Sequence, residues 1–220
     1  ITMAISAGIN VNVTLIFSVE RYSKVIDAYI TGLEKRLDSG HDINNVNSVA
    51  SFFISRIDTL VDARLDEMSL DDVDTDTIRG GTAIANANLA YNLFQNSISS
   101  KRWTHLQSKG ANVQRPLWAS TSTKDPNYSD VLYVESLIAE NTVNTLPPGT
   151  MQAFKDHGNA IMGLEMGPED ATRHMEQLAN IGISMEEISA KLETDGVVSF
   201  RDSYEQLLDV IAERSQALST

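Results

Sequence analysis

Apolar and polar positions alternate from Val11 to Leu15. In an extended chain Val11, Val13 and Leu15 take one side, and Asn12 and Thr14 take the other, with Asn10 in line behind them. The run Asn10 to Ser18 follows Gly8, is dominated by β-branched and apolar residues, and stops at a serine, a favoured N-cap. It predicts a strand running directly into a helix. Two uncharged hydrogen-bonding side chains on one strand face suit a polar pocket, the filled interior of a barrel, or the wet side of an edge strand. The pattern alone does not choose among these.

After Ser18 the apolar positions Tyr22, Val25, Ile26, Tyr29, Leu33 and Leu37 recur at helical spacing up to Ser39-Gly40. Ser48 to Ser55 predicts a second strand, followed by a helix with Ile57, Leu60, Val61, Leu65 and Met68 on one side. Ser69 to Asp76, with four aspartates, reads as a solvated loop. Thr82 to Ser97 reads as a helix, and Val113 to Ser120 as a third strand, in which Pro116 argues against a central position. Tyr128 to Glu140 is expected to be helical, and Thr142 to Leu146 forms a short fourth strand ended by Pro147-Pro148-Gly149. A helix starts over Met151 to Lys155, Gly158 to Gly167 is loop, and two or three helices close the chain. Ser184 and Glu187 stand as a capping box, and the last helix carries Phe200, Tyr204, Leu207, Leu208 and Ile211 on one face. At the other end, Ile1 to Gly8 reads as the last turns of a helix closed by glycine, the form expected of a piece of something longer.

Strands alternate with helices and no two strands are joined by a hairpin signal, so the units are parallel βαβ. Four strands do not close a barrel. The economical reading is an α/β fold that is a partial TIM (β/α)8 barrel, strands 5–8 with C-terminal helices; a doubly wound open sheet is the second reading. The 220 residues form a single domain on this view. Residues 1–8 are the end of a helix, 9–168 four βα units and 169–220 the C-terminal helices.

Composition narrows the chemistry. There is no cysteine, which excludes disulfides, thiol catalysis and thiolate metal sites and suits a reducing cytoplasm. A formal net charge of −13 argues against nucleic acid or an anionic membrane as a bulk partner, although one arginine can still dominate a small anionic pocket. No apolar run approaches the roughly 20 residues of a membrane span.

Sites in α/β barrels gather at the C-terminal ends of the strands. The polar residues there are Asn12 and Thr14 on the first strand, Ser51 on the second with Arg56 just beyond it, and Ser120 with Lys124 after the third. Ser51 and Phe53 share a face by strand periodicity. Such a set suits a polyhydroxylated phosphate ester, with arginine as bidentate partner of the phosphate. It offers no acid, base or nucleophile. Arg56 has a bland alternative, pairing with Asp58 or Asp62, and Asn12 and Thr14 have another in bonding neighbouring backbone. His41, His105, His157 and His174 lack metal-ligand spacing and read as surface residues, so neither a metal nor a cofactor is expected.

Four ordered segments carry a resemblance. Asn10-Val-Asn-Val-Thr-Leu-Ile-Phe-Ser18, Ser48-Val-Ala-Ser-Phe-Phe-Ile-Ser-Arg-Ile-Asp58, Gln114-Arg-Pro-Leu-Trp-Ala-Ser-Thr121 and Asn141-Thr-Val-Asn-Thr-Leu-Pro147 resemble consecutive parts of transaldolases. The longer bacterial type is the nearest in kind, including those fused to glucose-6-phosphate isomerase. The resemblance implies a Schiff-base α/β barrel of the pentose phosphate pathway. Such an enzyme moves a dihydroxyacetone unit from sedoheptulose 7-phosphate or fructose 6-phosphate to glyceraldehyde 3-phosphate or erythrose 4-phosphate. It also implies that the Schiff-base lysine, and the aspartate and glutamate that handle protons, lie upstream of Ile1, leaving this chain inactive alone. Asn12 would meet substrate hydroxyls or the Schiff base, and Thr14 the catalytic water. Ser51 would meet a substrate hydroxyl, Phe53 would wall the pocket, and Arg56 with Ser120 would bind the phosphate. Shorter relatives have an arginine where this chain has Ser122, which leaves Lys124 as the nearest substitute cation. Sugar phosphates are the implied partners, with room for a homodimer. The competing readings are a fructose-6-phosphate aldolase-like enzyme, weighed against by the segment 171–220, and a non-catalytic sugar-phosphate-binding barrel.

Overall fold

The computed structural model describes residues 1–68, 75, 77–164 and 166–218. The acidic loop expected from Ser69 to Asp76 lies, except for Thr75, outside the described residues. Four parallel strands, β1 (Val11–Ile16), β2 (Ser48–Phe53), β3 (Arg115–Ala119) and β4 (Val143–Asn144), stand side by side in chain order. A short helix, α1 (Thr2–Ser6), precedes them. The crossovers are helical: α2 (Val19–Asp38) after β1; α3 (Ser55–Glu67), α4 (Thr82–Ile98) and α5 (Lys101–Gln107) after β2; α6 (Leu132–Glu135) after β3. Beyond β4 come α7 (Pro148–His157), α8 (Pro168–Asn180) and α9 (Met185–Leu218). Strand order advances one place per crossover and never reverses. A doubly wound sheet has such a reversal, so this arrangement favours the running order of a barrel.

Local chemistry explains the elements. Ser18 Oγ accepts from Arg21 N at 3.1 Å and starts α2, with Glu20 in the first turn and Lys35 and Arg36 in the last, matching the helix dipole. Gly8, at φ +82°, ends α1 where the Arg36 guanidinium lies against the backbone and donates to Ser6 O. On the helix side of the sheet, Phe52 meets the rings of Tyr22 and Trp118 edge-on at 5.9 and 6.1 Å, and Trp118 Nε1 donates to Leu137 O at 3.0 Å.

One irregularity sets the opposite face. Val13 stands across from Ala50 and Ile16 across from Phe52, so β1 holds one extra residue, and Leu15 sits at φ +58°. A bulge of this kind shifts side-chain parity. Asn12 and Thr14 therefore share the face of Ser51 and Phe53, while Ile16 returns to the helix side beside Phe52. Phe17 then meets Phe53, ring centroids 5.1 Å apart.

Helix α9 crosses β1 at this bulge. A Cβ on Gly196 would lie 2.7 Å from Leu15 Cδ2, so a larger residue there would require the Leu15 side chain to shift. Ser189 Oγ donates to Phe17 O at 3.3 Å, and Ile188 and Leu192 are buried. Beyond Gly196 every described residue of α9 is exposed, including the predicted stripe Phe200, Tyr204, Leu207, Leu208 and Ile211. No described helix is long and apolar enough to cross a membrane.

Several expectations need correction. The helix expected over Tyr128 to Glu140 is confined to Leu132–Glu135, because the Tyr128 and Tyr133 hydroxyls reach back to carboxylates on α3 and hold the chain in turns. Helix α5 was not legible; Ser100 Oγ accepts from Trp103 N at 3.1 Å and nucleates it. Helix α7 begins at Pro148 rather than Met151, using proline's fixed φ in the first turn. His174 is buried, with Nε2 3.0 Å from Thr82 Oγ1, whereas His41, His105 and His157 are exposed.

Candidate active site

The polar strand-end residues lie on two neighbouring surfaces. The first is the face of β1 and β2. Ser51 is buried, and its Oγ donates to Asn12 Oδ1 at 2.7 Å. That bond fixes the amide with its Nδ2 as a spare donor, since Asn12 itself is exposed and no partner to Nδ2 exists among the described residues. Thr14 is exposed two positions further along the same face. The bland reading, in which Asn12 and Thr14 serve only neighbouring backbone, is not what the side chains do: Asn12 bonds a side chain, and Thr14 bonds nothing described.

The second surface is the junction of β2 with α3. Phe53 is buried, and the Arg56 guanidinium carbon stands 5.2 Å from its ring centroid. Among the described residues Arg56 has no ion-pair partner; Asp58 and Asp62 are engaged elsewhere. Helix α3 begins after Ile54 with no side-chain cap. Its first residue, Ser55, is nearly fully buried; its N–H donates to Ser120 O at 3.0 Å and its hydroxyl lies 3.4 Å from Ser120 Oγ. Ser120 adopts φ +58°, unusual for serine, and this turns the chain out of β3 over the start of α3. A helix start with no side-chain cap, a guanidinium with no ion-pair partner among the described residues and two hydroxyls stand together at this junction, a combination whose chemistry suits an anion. Ser55 was missed by sequence reasoning, although a serine at the first position of a helix after a strand is a legible signal.

Lys124 stands apart. It is exposed, and its Nζ donates to Ser122 Oγ at 2.8 Å, reaching back along the loop toward Ser120. Thr121, fully buried, anchors that loop to the last strand by donating to Asn144 Oδ1 at 2.9 Å and Thr145 O at 3.0 Å.

Asp58, behind this surface, is also nearly fully buried. Burial pushes it up to about 7, partly offset by hydrogen bonds from the Ala83 N–H and the Tyr133 hydroxyl. Both its oxygens are thus occupied, Oδ1 at 2.7 Å and Oδ2 at 2.8 Å. No three acidic or histidine side chains among the described residues group as metal ligands. A cavity of about 700 Å³ lies between α2, α4, α8 and α9 and contains none of the strand-end residues; its cations Arg21 and Lys24 are paired with Glu193 and Glu20.

A family model described as Transaldolase/Fructose-6-phosphate aldolase matches residues 1–211. The transaldolase of Frankia alni is 47% identical over 216 residues, 97% of this chain and 57% of that protein. That of Thermobifida fusca is 47% identical over 218 residues, 99% of this chain and 59% of its own. Transaldolase 2 of Streptomyces coelicolor is 47% identical over 209 residues, covering 94% and 56%. This chain therefore spans somewhat over half the length of the curated relatives it matches. With the match running almost end to end over a parallel sheet whose strands follow chain order, the chain belongs to the transaldolase/fructose-6-phosphate aldolase family.

Proposed function

We propose that this chain is the substrate-binding half of a transaldolase, strands 5–8 of its barrel, and that the Schiff-base lysine belongs to sequence upstream of Ile1. The observation that carries the reading is Arg56, held over the Phe53 ring at 5.2 Å with no described ion-pair partner, beside an uncapped helix start and the Ser55 and Ser120 hydroxyls. A phosphate monoester dianion complements that junction. The sugar carbons then extend across Phe53 toward Ser51, Asn12 and Thr14. Asn12 Nδ2 donates to a substrate hydroxyl or to the Schiff-base centre, and Ser51 sets its orientation. Thr14 holds a water for an upstream acid, and Lys124 adds a second positive charge at the edge of the phosphate.

The reaction is transfer of a dihydroxyacetone unit from a ketose phosphate to an aldose phosphate, in a cytoplasmic sugar-phosphate pathway. Helices α8 and α9, which extend the chain past the fourth βα unit, favour a transaldolase over a simpler fructose 6-phosphate aldolase. The described strand-end residues include no buried lysine, so chemistry depends on the other half. The isolated chain should give no transfer from fructose 6-phosphate to erythrose 4-phosphate in a coupled assay, while the complete gene product turns over. Turnover by the isolated chain overturns the half-site reading.

A further inference from the structure

Two carboxylates on α3 and two tyrosines after β3 make contacts that the proposed chemistry does not use. Asp58 lies in the first turn of α3, two residues past Arg56. Its Oδ1 accepts from Ala83 N, at the start of α4, where Gly81 supplies no side-chain cap. Its Oδ2 accepts from the Tyr133 hydroxyl at 2.8 Å. One helical turn further on, Asp62 Oδ2 accepts from the Tyr128 hydroxyl at 2.9 Å. The Tyr128 ring packs flat on Gly80, where a Cβ would lie 2.9 Å from Cζ.

These tyrosines fasten the far end of the loop whose near end is Ser120. Between the two ends the loop is folded on itself: Thr123 Oγ1 donates to Ser129 O at 2.8 Å, and Asn127 N donates to Asp125 Oδ1 at 2.8 Å. The near end is tied by Ser55 N to Ser120 O at 3.0 Å. Both attachments are therefore to the first two turns of α3, the helix that carries Arg56.

We propose that Asp58–Tyr133 and Asp62–Tyr128 form a clasp that holds the Ser120–Lys124 loop against the start of α3, and that the four are positioning residues for phosphate at Arg56. A hydroxyl-to-carboxylate bond buried at the helix start has one short geometry, so it fixes the loop more tightly than surface contacts do. Loosening it lets Ser120 and Lys124 drift from Arg56 while leaving Arg56 itself in place. The proposal rests on the reading of Arg56 and Ser120 as the phosphate site.

The test is a titration of the complete gene product with inorganic phosphate, followed at the backbone amides of Ser55, Arg56 and Ser120. Tyr133→Phe and Tyr128→Phe keep the rings and remove only the hydroxyls. Each should weaken phosphate about three- to ten-fold, the part of one charge-assisted hydrogen bond passed on to the loop. Asp58→Asn combined with Tyr133→Phe should weaken it no more than the larger single change, because both break the same bond. A purely structural role would lower the melting temperature of each variant and leave the dissociation constant unchanged below it. Arg56→Ala separates the two layers. If phosphate binding survives that change, the phosphate reading fails. If binding needs Arg56 yet both tyrosine variants bind as wild type, the clasp is overturned.

Discussion

The two flanks of the sheet differ. Around β2 and β3 the molecule is closed: Ala50, Phe52 and Trp118 are fully buried, Ser51 and Ser55 are bonded, and Thr121 ties the loop to the last strand. Around β1 the molecule is open. Asn12 and Thr14 are exposed, β1 is an edge, and α9 passes over it at Gly196 and continues bare. An edge strand and an apolar helix stripe are surfaces that proteins ordinarily cover. On the proposed reading the closed flank binds phosphate, and the reacting carbons and the upstream half lie at the open flank.

The sharpest way to test that contrast is to truncate one aromatic on each side. Phe52→Ala, between Tyr22 and Trp118, should cost about 3–5 kcal/mol in denaturant unfolding. Phe200→Ala, on the bare part of α9, should change the isolated chain by no more than about 0.5 kcal/mol. The complete gene product should feel Phe200→Ala far more, if the stripe is covered there. Equal costs at Phe200 in both proteins would break the comparison.

A smaller effect concerns pH. Asp58 titrates near 3.8 when unfolded and about 7 when folded, chiefly through burial. Between those values the folded chain holds a proton that the unfolded chain has released. Stability therefore falls as pH rises through that window, by up to about 1.4 kcal/mol per unit, and levels off above it. Unfolding free energies at pH 5 and pH 8 should show this fall, and Asp58→Asn should remove it. A variant as pH-sensitive as the parent would show that another group is responsible. Smaller again than the pH effect, Arg56→Ala should shift stability by less than about 1 kcal/mol, since its described contact is the Phe53 face.

Much of this was legible in the sequence because local rules agreed with the fold. Ser18 capped α2 as expected, Gly8 closed α1, and strand–helix alternation yielded a parallel sheet. The strand-end set followed from period-two alternation. Other features depended on long-range contacts that no local pattern records. The bulge at Leu15 lies where α9 passes at Gly196, far away in the chain. Asp58 looked like a partner for Arg56 by spacing, yet it turns to Ala83 and Tyr133, and that choice is made by the packing of α4 and α6. The same tyrosine contacts shortened a helix that periodicity had extended. His174 looked polar in its helix but pairs with Thr82 across the α4–α8 interface.

The most direct measurement is a trapping experiment on the complete gene product. It would be incubated with fructose 6-phosphate, reduced with borohydride, and searched by mass spectrometry for a dihydroxyacetone-sized adduct on a lysine. The half-site reading predicts the adduct on a lysine upstream of Ile1, and its loss at low substrate when Arg56 is changed to Ala. An adduct on a lysine within this chain, or none at any concentration, would contradict it.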